Sequence, residues 1–357
     1  MLKRAVNRIK VLLVFAKIKR QNFPIKGKRE WIRTFVNFLD ELNRSNWDYS
    51  ERWELLNGFC DDHLSMVKKA KVSYDKSVPY LICVVRDEEE RLPVFLGHYR
   101  KMGIKEFVFV DNSSSDRGVE YLKTQPDTTL FVCSTKFSTR RKTGWTNRII
   151  SYYGKKNWFL VVDADELLVW NGYPQYTLSN IVKKLEKEMI YRCRGLMIDM
   201  YGKSADWEDA NENIYHNFAF FDTDTYYRKK DKEVYLLCGG PRKRKLDVEV
   251  WLTKYPLFRL KEYDMMSNPH TIFPFKENFA CKYCVGLLHY KFVTKNDYRK
   301  MRKYKREGVY AGGSFEYARY LEVSHGEKIN FYYEGSAYMK SYDDLAKIKW
   351  LFDWKNT

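Results

Sequence analysis

The central part of the chain alternates short apolar runs with segments of helical periodicity. Apolar runs at 80–85, 107–110, 130–133 and 158–162 predict four buried strands. A helix is predicted from the acidic segment at 86–90 to residue 102, where Gly103 predicts its end, and another at 143–153. Strands and helices that alternate at such short intervals predict an α/β fold with a mostly parallel sheet flanked by helices.

The two ends of the chain carry helical patterns. Trp31, Phe35, Phe38 and Leu42 fall on one helical stripe. Helical periodicity is also predicted at about 49–70, 178–189, 294–305 and 338–354, and a strand at 193–200. We therefore divide the chain into a helical N-terminal extension (1–75), an α/β domain (76–295) and a helical C-terminal extension (296–357).

Polar side chains follow the predicted strands at their carboxyl ends, where open α/β sheets bind ligands. These residues are Arg86 and Asp87, then Asp111, Ser113 and Ser115, then Asp163 and Asp165. Asp163 and Asp165 are two residues apart, so on an extended backbone both side chains point to the same side. If the chain bends there, they can share one Mg²⁺ or Mn²⁺, a hard cation that commonly bridges to substrate phosphates.

Several nucleotide-binding and hydrolase signatures are absent from the sequence. No Gly-x-Gly-x-x-Gly motif follows the first strand, which disfavours a dinucleotide-binding fold. No P-loop and no Gly-x-Ser-x-Gly nucleophile motif is present either.

Composition predicts an affinity for polyanions, because 64 Lys and Arg against 46 Asp and Glu leave a net charge of +18. Residues 1–20 combine a six-residue apolar core with basic flanks, which predicts an amphipathic segment on an anionic membrane surface. No run of 18 apolar residues predicts a membrane-spanning helix. The seven scattered cysteines favour a reducing compartment, so we expect a cytoplasmic protein at the inner face of the membrane.

Residues 78–170 resemble the nucleotide-sugar-binding half of GT-A glycosyltransferases, in particular the family-2-like group. The matching segments are 86–89 (Arg-Asp-Glu-Glu), 110–116 (Val-Asp-Asn-Ser-Ser-Ser-Asp) and 162–167 (Val-Asp-Ala-Asp-Glu-Leu). Further matches at 239–244, 253–259 and 286–292 extend the resemblance to about residue 295. The resemblance implies a Rossmann-like GT-A fold with a donor half at 78–170 and an acceptor half at 171–295.

The resemblance also implies roles for individual residues. The residues expected to bind the nucleotide sugar are Arg86, Asp87, Asp111, Arg141, Lys142, Asp163 and Ala164, with Asp111 at the base or ribose and the basic pair at the diphosphate. Asp163, Asp165 and His289 would hold Mn²⁺ or Mg²⁺. Gly240, Arg242 and Arg244 belong to a basic loop that could bind an acidic or phosphate-bearing acceptor.

Inversion of the anomeric centre is expected from the resemblance, and it requires a general base at the acceptor hydroxyl. The family supplies this base from a Glu-Asp pair after the glycine-rich loop, and no such pair follows Gly239 and Gly240. The candidates that remain are His270, Asp199, Glu208, Asp209 and Glu316.

The sequence thus favours a metal-dependent glycosyltransferase in surface polysaccharide biosynthesis. It would move a sugar from a nucleotide diphosphate sugar, with a UDP-sugar favoured, to a glycan or lipid-linked acceptor, and nucleic acid is not an expected partner. Two alternatives stay open: a nucleotidyltransferase with a similar acidic site, and a basic polyanion-binding or nucleic-acid-binding protein without catalysis.

Overall fold

The computed structural model describes residues 2–17, 23–44, 50–73, 75–203, 217–231, 234–279, 281–307, 313–325 and 327–356. The chain forms two compact units. Unit 1 consists of Met1–Asp87, Ile104–Val161 and Tyr255–Asn278, and unit 2 consists of Glu88–Gly103, Val162–Lys254 and Phe279–Thr357. In the described part of the chain, no helix has the length and apolar character that crossing a bilayer requires.

Helices and strands follow one another along the whole described chain. The helices are α1 (Leu2–Ala16), α2 (Lys28–Arg44), α3 (Ser50–Phe59), α4 (Leu92–Lys101), α5 (Gly118–Thr124), α6 (Thr139–Tyr153), α7 (Leu178–Lys187), α8 (Gly240–Leu246), α9 (Lys295–Glu307) and α10 (Gly313–Ser324). The strands are β1 (Ser65–Lys68), β2 (Tyr80–Val85), β3 (Phe107–Asp111), β4 (Thr128–Val132), β5 (Trp158–Val161), β6 (Glu166–Val169), β7 (Arg192–Asp199), β8 (Phe220–Phe221), β9 (Tyr226–Asp231), β10 (Val234–Gly239), β11 (Thr253–Arg259), β12 (Met265–Asn268), β13 (Thr271–Phe273), β14 (Cys284–His289) and β15 (Ala337–Tyr338).

Unit 1 is built on a sheet whose centre is parallel. Its strands follow the order β1-β4-β3-β2-β5-β11, with parallel pairing from β4 to β5 and antiparallel pairing at both outer strands. Every residue of β3 is buried, as expected for a parallel strand covered on both faces. The prediction of an α/β fold with a mostly parallel sheet flanked by helices is confirmed for this unit.

In unit 2, β14 pairs in parallel with β7 and antiparallel with β6. This register places His289 opposite Asp199 on one side and opposite Glu166 on the other. Two short antiparallel pairs, β9 with β10 and β8 with β15, complete the strands of this unit in the described residues. Strand pairing thus brings together polar residues that are distant in sequence.

The predicted stripe on α2 is confirmed, because Trp31, Phe35, Phe38 and Leu42 are all at most 3% exposed. In α7, Thr177 and Asn180 cap the first turn reciprocally, which explains the start of the helix at residue 178.

Four local predictions are wrong. The helix predicted from residue 86 begins at Leu92, because Asp87 has a left-handed backbone (φ 57°) that ends β2 in a turn. The helical pattern at 49–70 ends at Phe59, and pairing with β4 makes residues 65–68 a strand.

The other two errors concern the C-terminal half. The segment 338–354 contains only the end of β15 and a short 3₁₀ helix (Tyr342–Lys347), whose first turn Ser341 caps. The basic segment at 239–244, predicted as a loop, forms most of α8, where Pro241 suits the first turn of a helix. Glu208 and Asp209 lie outside the described residues.

Candidate metal and catalytic site

The carboxyl ends of β7 and β14 and the start of β6 bring a cluster of ionisable side chains together in unit 2. His289 is the last residue of β14, Asp199 is the last residue of β7, and Asp165 directly precedes β6. The backbone N–H of Tyr290 donates a hydrogen bond to the Asp165 carbonyl (2.9 Å), which fixes the turn before β6 beside the end of β14.

The imidazole of His289 lies between two carboxylates. Its Nδ1 atom is 2.6 Å from Oδ1 of Asp199, and its Nε2 atom is 3.3 Å from Oδ2 of Asp165. Burial lowers the pKa of His289, but the two carboxylates have the larger opposite effect, so the pKa of His289 is raised overall. Burial raises the pKa of Asp165, yet His289 and Arg91 hold it well below its usual range. The pair is therefore ordered and electrostatically coupled.

The donor set fits a hard divalent cation with one imidazole ligand. Among the described residues, potential ligand atoms of Asp165, Glu166 and His289 lie within 4.8 Å of one another. Carboxylate oxygen and imidazole nitrogen both suit Mn²⁺. Asp199 accepts or shares the proton at Nδ1, as an outer carboxylate does for many metal-bound histidines. Asp165 and His289 are thus the residues that would hold the cation.

Glu166 and Asp163 already share an internal cation, the ammonium of Lys254. Its Nζ atom is 3.0 Å from Oδ2 of Asp163 and forms a second ion pair with Oε1 of Glu166. The other Glu166 oxygen accepts the N–H of Asp163 (3.1 Å). Burial lowers the pKa of Lys254, but Asp163 and Glu166 outweigh it and the net pKa is raised. Asp163, predicted as a metal ligand, therefore faces a lysine.

The sequence reasoning missed Lys254. The sequence signal that could have revealed its role is its position near the start of an apolar strand, because a lysine is buried there only when an acidic side chain pairs with it.

Asp199 connects His289 to a buried arginine and through it to Glu316. Nε of Arg242 is 2.8 Å from Oδ2 of Asp199, and its Nη1 atom is 3.4 Å from Oε1 of Glu316. Burial raises the pKa of Asp199, but Arg242 and His289 outweigh it and lower the pKa to about 2. Asp199 therefore stays ionised and orients its neighbours.

Glu316 is the more accessible of these two carboxylates, with a side chain 28% exposed against 5% for Asp199. Burial raises its pKa, but Lys291, Arg242 and the hydroxyl of Tyr320 outweigh it and the net pKa is lowered. Glu316 is therefore ionised and able to accept a proton. The Nη2 atom of the buried Arg242 has no hydrogen-bond partner within the described part of the chain.

Arg244, predicted to bind an anion, is engaged inside unit 2. Its guanidinium donates two hydrogen bonds of 2.9 Å to Asp222, whose carboxylate is fully buried, and a third of 2.7 Å to the Phe331 carbonyl. Gly240 has a left-handed backbone (φ 71°), and a Cβ there would lie 3.3 Å from the ring of Tyr226. The glycine is therefore required for the start of α8.

A second acidic cluster lies in unit 1, where β2 and β3 end. Ser114 donates backbone and hydroxyl hydrogen bonds to the two oxygens of Asp111, and Ser115 does the same to one oxygen of Asp87. Burial raises the pKa of Asp111 against the hydrogen bonds from Ser114. Both carboxylates order the serine-rich turn after β3.

The other predicted residues are placed as follows. Arg141 and Lys142 lie in the first turn of α6, and Arg141 contacts Glu54 across 3.5 Å. His270 lies in the turn between β12 and β13 of unit 1. Arg86, half-buried, directly follows β2, and Ala164 is buried in the turn between Asp163 and Asp165.

Comparisons with known proteins add little to this geometry. No protein-family profile and no curated protein matches the chain. Among solved structures, the chain is similar to S. aureus TarS residues 1–349, with 12% sequence identity over 69% of this chain and 71% of that one. The TM-score is 0.30, too low to carry an argument about fold or activity.

Proposed function

We propose that this protein is a metal-dependent glycosyltransferase that uses a nucleotide diphosphate sugar. The observation that carries the proposal is the His289–Asp165 pair, whose imidazole is oriented by Asp199 at the ends of adjacent strands. Asp165 and His289 would hold the cation through one carboxylate and one imidazole, and the cation would then be able to bind phosphate oxygens of the donor as well.

The chemistry requires stabilisation of the negative charge that develops on the leaving group. When the bond between the sugar and its diphosphate breaks, negative charge grows on the leaving diphosphate, and a divalent cation at Asp165 and His289 would stabilise it. His289 and Arg91, which also pairs with Asp297 (2.5 Å), lower the pKa of Asp165. The Asp165 carboxylate is therefore available as an anion throughout the neutral pH range.

Glu316 is the residue we propose as the general base. In an inverting transfer, the acceptor hydroxyl oxygen attacks the anomeric carbon, the bond to the diphosphate oxygen breaks, and the hydroxyl proton passes to the base. Glu316 is ionised and partly exposed, whereas Asp199 is committed to His289 and Arg242. We therefore assign Asp199 to positioning rather than to proton transfer.

The finer parts of the proposal rest on the sequence: the location rests on the scattered cysteines, the acidic acceptor on the basic segment at 239–244, and the others on the resemblance. These finer parts are the UDP-sugar donor, the contacts of Asp87 and Asp111 with the nucleoside, the glycan or lipid-linked acceptor in surface polysaccharide synthesis, the binding of an acidic acceptor by Arg242, and a cytoplasmic location.

Thermal unfolding with a panel of nucleoside diphosphates and nucleotide sugars tests the proposal directly. Each ligand is added with Mn²⁺, with Mg²⁺ or with EDTA, to the wild type and to Asp165→Asn. A ligand at one hundred times its Kd stabilises the folded state by about 2.7 kcal/mol, which is readable as a shift in Tm. We expect stabilisation by one nucleotide class that requires the cation and disappears in Asp165→Asn.

The matched control is Asp247→Asn, because Asp247 also lies in unit 2 but its side chain is 78% exposed. This variant should keep the full response. If no nucleotide shifts the unfolding of the folded wild type with either metal, the transferase proposal fails. Tight, strongly salt-dependent binding to mixed oligonucleotides in the same preparation would instead support the polyanion-binding alternative.

A further inference from the structure

Helix α1 buries only one of its faces. Val11 and Phe15 are at most 1% exposed, and the Phe15 ring lies 6.0 Å from the ring of Phe35 and 5.6 Å from that of Phe59. Asn7, on the same face, donates a hydrogen bond to Asp40 of α2 (3.4 Å). The packing of this face on α2 and α3 fixes the orientation of α1 and therefore determines which side chains are exposed.

The opposite face of α1 is apolar and exposed. Val6 is 40% exposed, Ile9 58%, Leu12 43% and Leu13 56%. At 3.6 residues per turn, these side chains occupy a stripe about 120° wide, centred opposite Val11. Single exposed apolar residues need no explanation, but a contiguous exposed stripe marks an interaction surface.

Cations border this stripe along both edges. Lys10 and Lys17 lie along one edge, Arg8 lies along the other, and all three are exposed. The sequence of α1 contains no acidic residue. The ammonium of Lys10 also lies 5.6 Å from the ring centre of the half-buried Trp53 on α3. An apolar stripe with cationic edges is the side-chain pattern of helices that lie in the plane of a bilayer surface.

We propose that the exposed face of α1 docks on an anionic lipid surface. Charge complementarity selects this partner over a second copy of the chain, because pairing two α1 helices would bring their cationic edges together. The long lysine stems allow the ammonium groups to reach lipid phosphates while Ile9 and Leu13 enter the acyl boundary. This inference concerns unit 1 alone and is independent of the proposed transferase activity.

Co-sedimentation with vesicles tests the docking surface on the full chain. Vesicles of phosphatidylcholine alone are compared with vesicles that contain about 30% phosphatidylglycerol, at low and high salt. We expect binding to the anionic vesicles only, weakened by salt. The double variant Ile9→Ser/Leu13→Ser should bind about tenfold more weakly or worse, because two apolar side chains no longer enter the bilayer.

The matched control is Val67→Ser/Met189→Ser, which also removes two exposed apolar side chains (48% and 75% exposed) but lies outside α1. It should bind like the wild type, and all proteins should share one Tm. Equal binding by the α1 variant, or binding that does not depend on phosphatidylglycerol, overturns the proposal. A concentration-dependent dimer in light scattering that the α1 variant abolishes also overturns it, because the face would then join two copies of the chain.

Discussion

Replacing Lys254 with methionine should destabilise the protein strongly. Methionine keeps most of the side-chain length and removes only the ammonium. Lys254 has a side chain 8% exposed and is held between Glu166, which is fully buried, and Asp163, which is 33% exposed. The substitution leaves the Glu166 carboxylate in a low-dielectric environment without its counter-charge.

The magnitude follows from this burial. Removing one partner of a buried ion pair costs about 3–5 kcal/mol, because the other charge remains desolvated. The partly exposed Asp163 adds little, since water can replace its partner. For a unit of this size the loss corresponds to a fall in Tm of roughly 6–20 °C.

Urea unfolding of four proteins measures the effect: the wild type, Lys254→Met, Glu166→Gln and the double variant. We expect the double variant to be more stable than the sum of the two single losses implies, because it buries no unpaired charge. Lys355→Met is the control, since Lys355 forms an ion pair with Asp343 in the same unit but is 57% exposed, and it should leave the transition unchanged. A Lys254→Met variant within about 1 kcal/mol of the wild type would refute the reasoning.

Three further predictions concern protonation, packing and catalysis. Because the folded-state pKa of His289 is raised above 6.5, its ionised pairing stabilises the fold below pH 6.5, and this contribution is lost as pH rises through the raised pKa. The difference in stability between the wild type and His289→Asn, measured by thermal unfolding from below pH 6.5 upward, should therefore shrink as pH rises. Stabilisation of the wild type by Mn²⁺ should grow over the same pH range, because the proton leaves Nε2. A stability difference that does not change with pH contradicts this prediction. In α6, Gly144→Ala should cost about 1–3 kcal/mol in urea unfolding, because its Cβ would lie 2.4 Å from the Leu55 carbonyl oxygen of α3. The control Gly97→Ala in α4 meets no atom within 4 Å and should stabilise the protein by about 0.5–1 kcal/mol. Equal stabilities of the two variants would show that α3 and α6 can move apart at no cost. Glu316→Gln should lower kcat by about 10²–10⁴-fold and leave the nucleotide-induced Tm shift intact, and an unchanged kcat would remove Glu316 as the base.

Local patterns in the sequence predicted the elements whose side chains face the core. The runs that became β2, β3 and β5 and the stripe on α2 are visible because burial requires an apolar repeat of the matching period. Predictions failed where distant parts of the chain decide the conformation. Residues 65–68 are extended because they pair with β4. The aromatic segment after residue 338 contains a short 3₁₀ helix in place of the predicted α-helix, and its Trp354 is fully buried against the Tyr283 ring.

For the candidate site, the sequence placed Asp165 and His289 in one predicted metal site, on the strength of a resemblance. The geometry places Nε2 of His289 3.3 Å from Oδ2 of Asp165. The resemblance could not reveal that Asp163, predicted as a ligand, faces an ammonium group 91 residues away in the chain.

The sequence by itself determined which residue types stand at the strand ends, because hydrophobic periodicity locates strands and places carboxylates directly after them. Only the tertiary structure decided how those carboxylates are divided: Asp163 and Glu166 bind Lys254, Asp165 faces His289, and Asp199 joins His289 to Arg242. The register between β6, β7 and β14 places His289 beside Asp199 and Asp165, and the packing of β11 and α8 supplies Lys254 and Arg242. Register depends on the packing of whole strands, and a buried charge takes whichever counter-charge that packing places beside it.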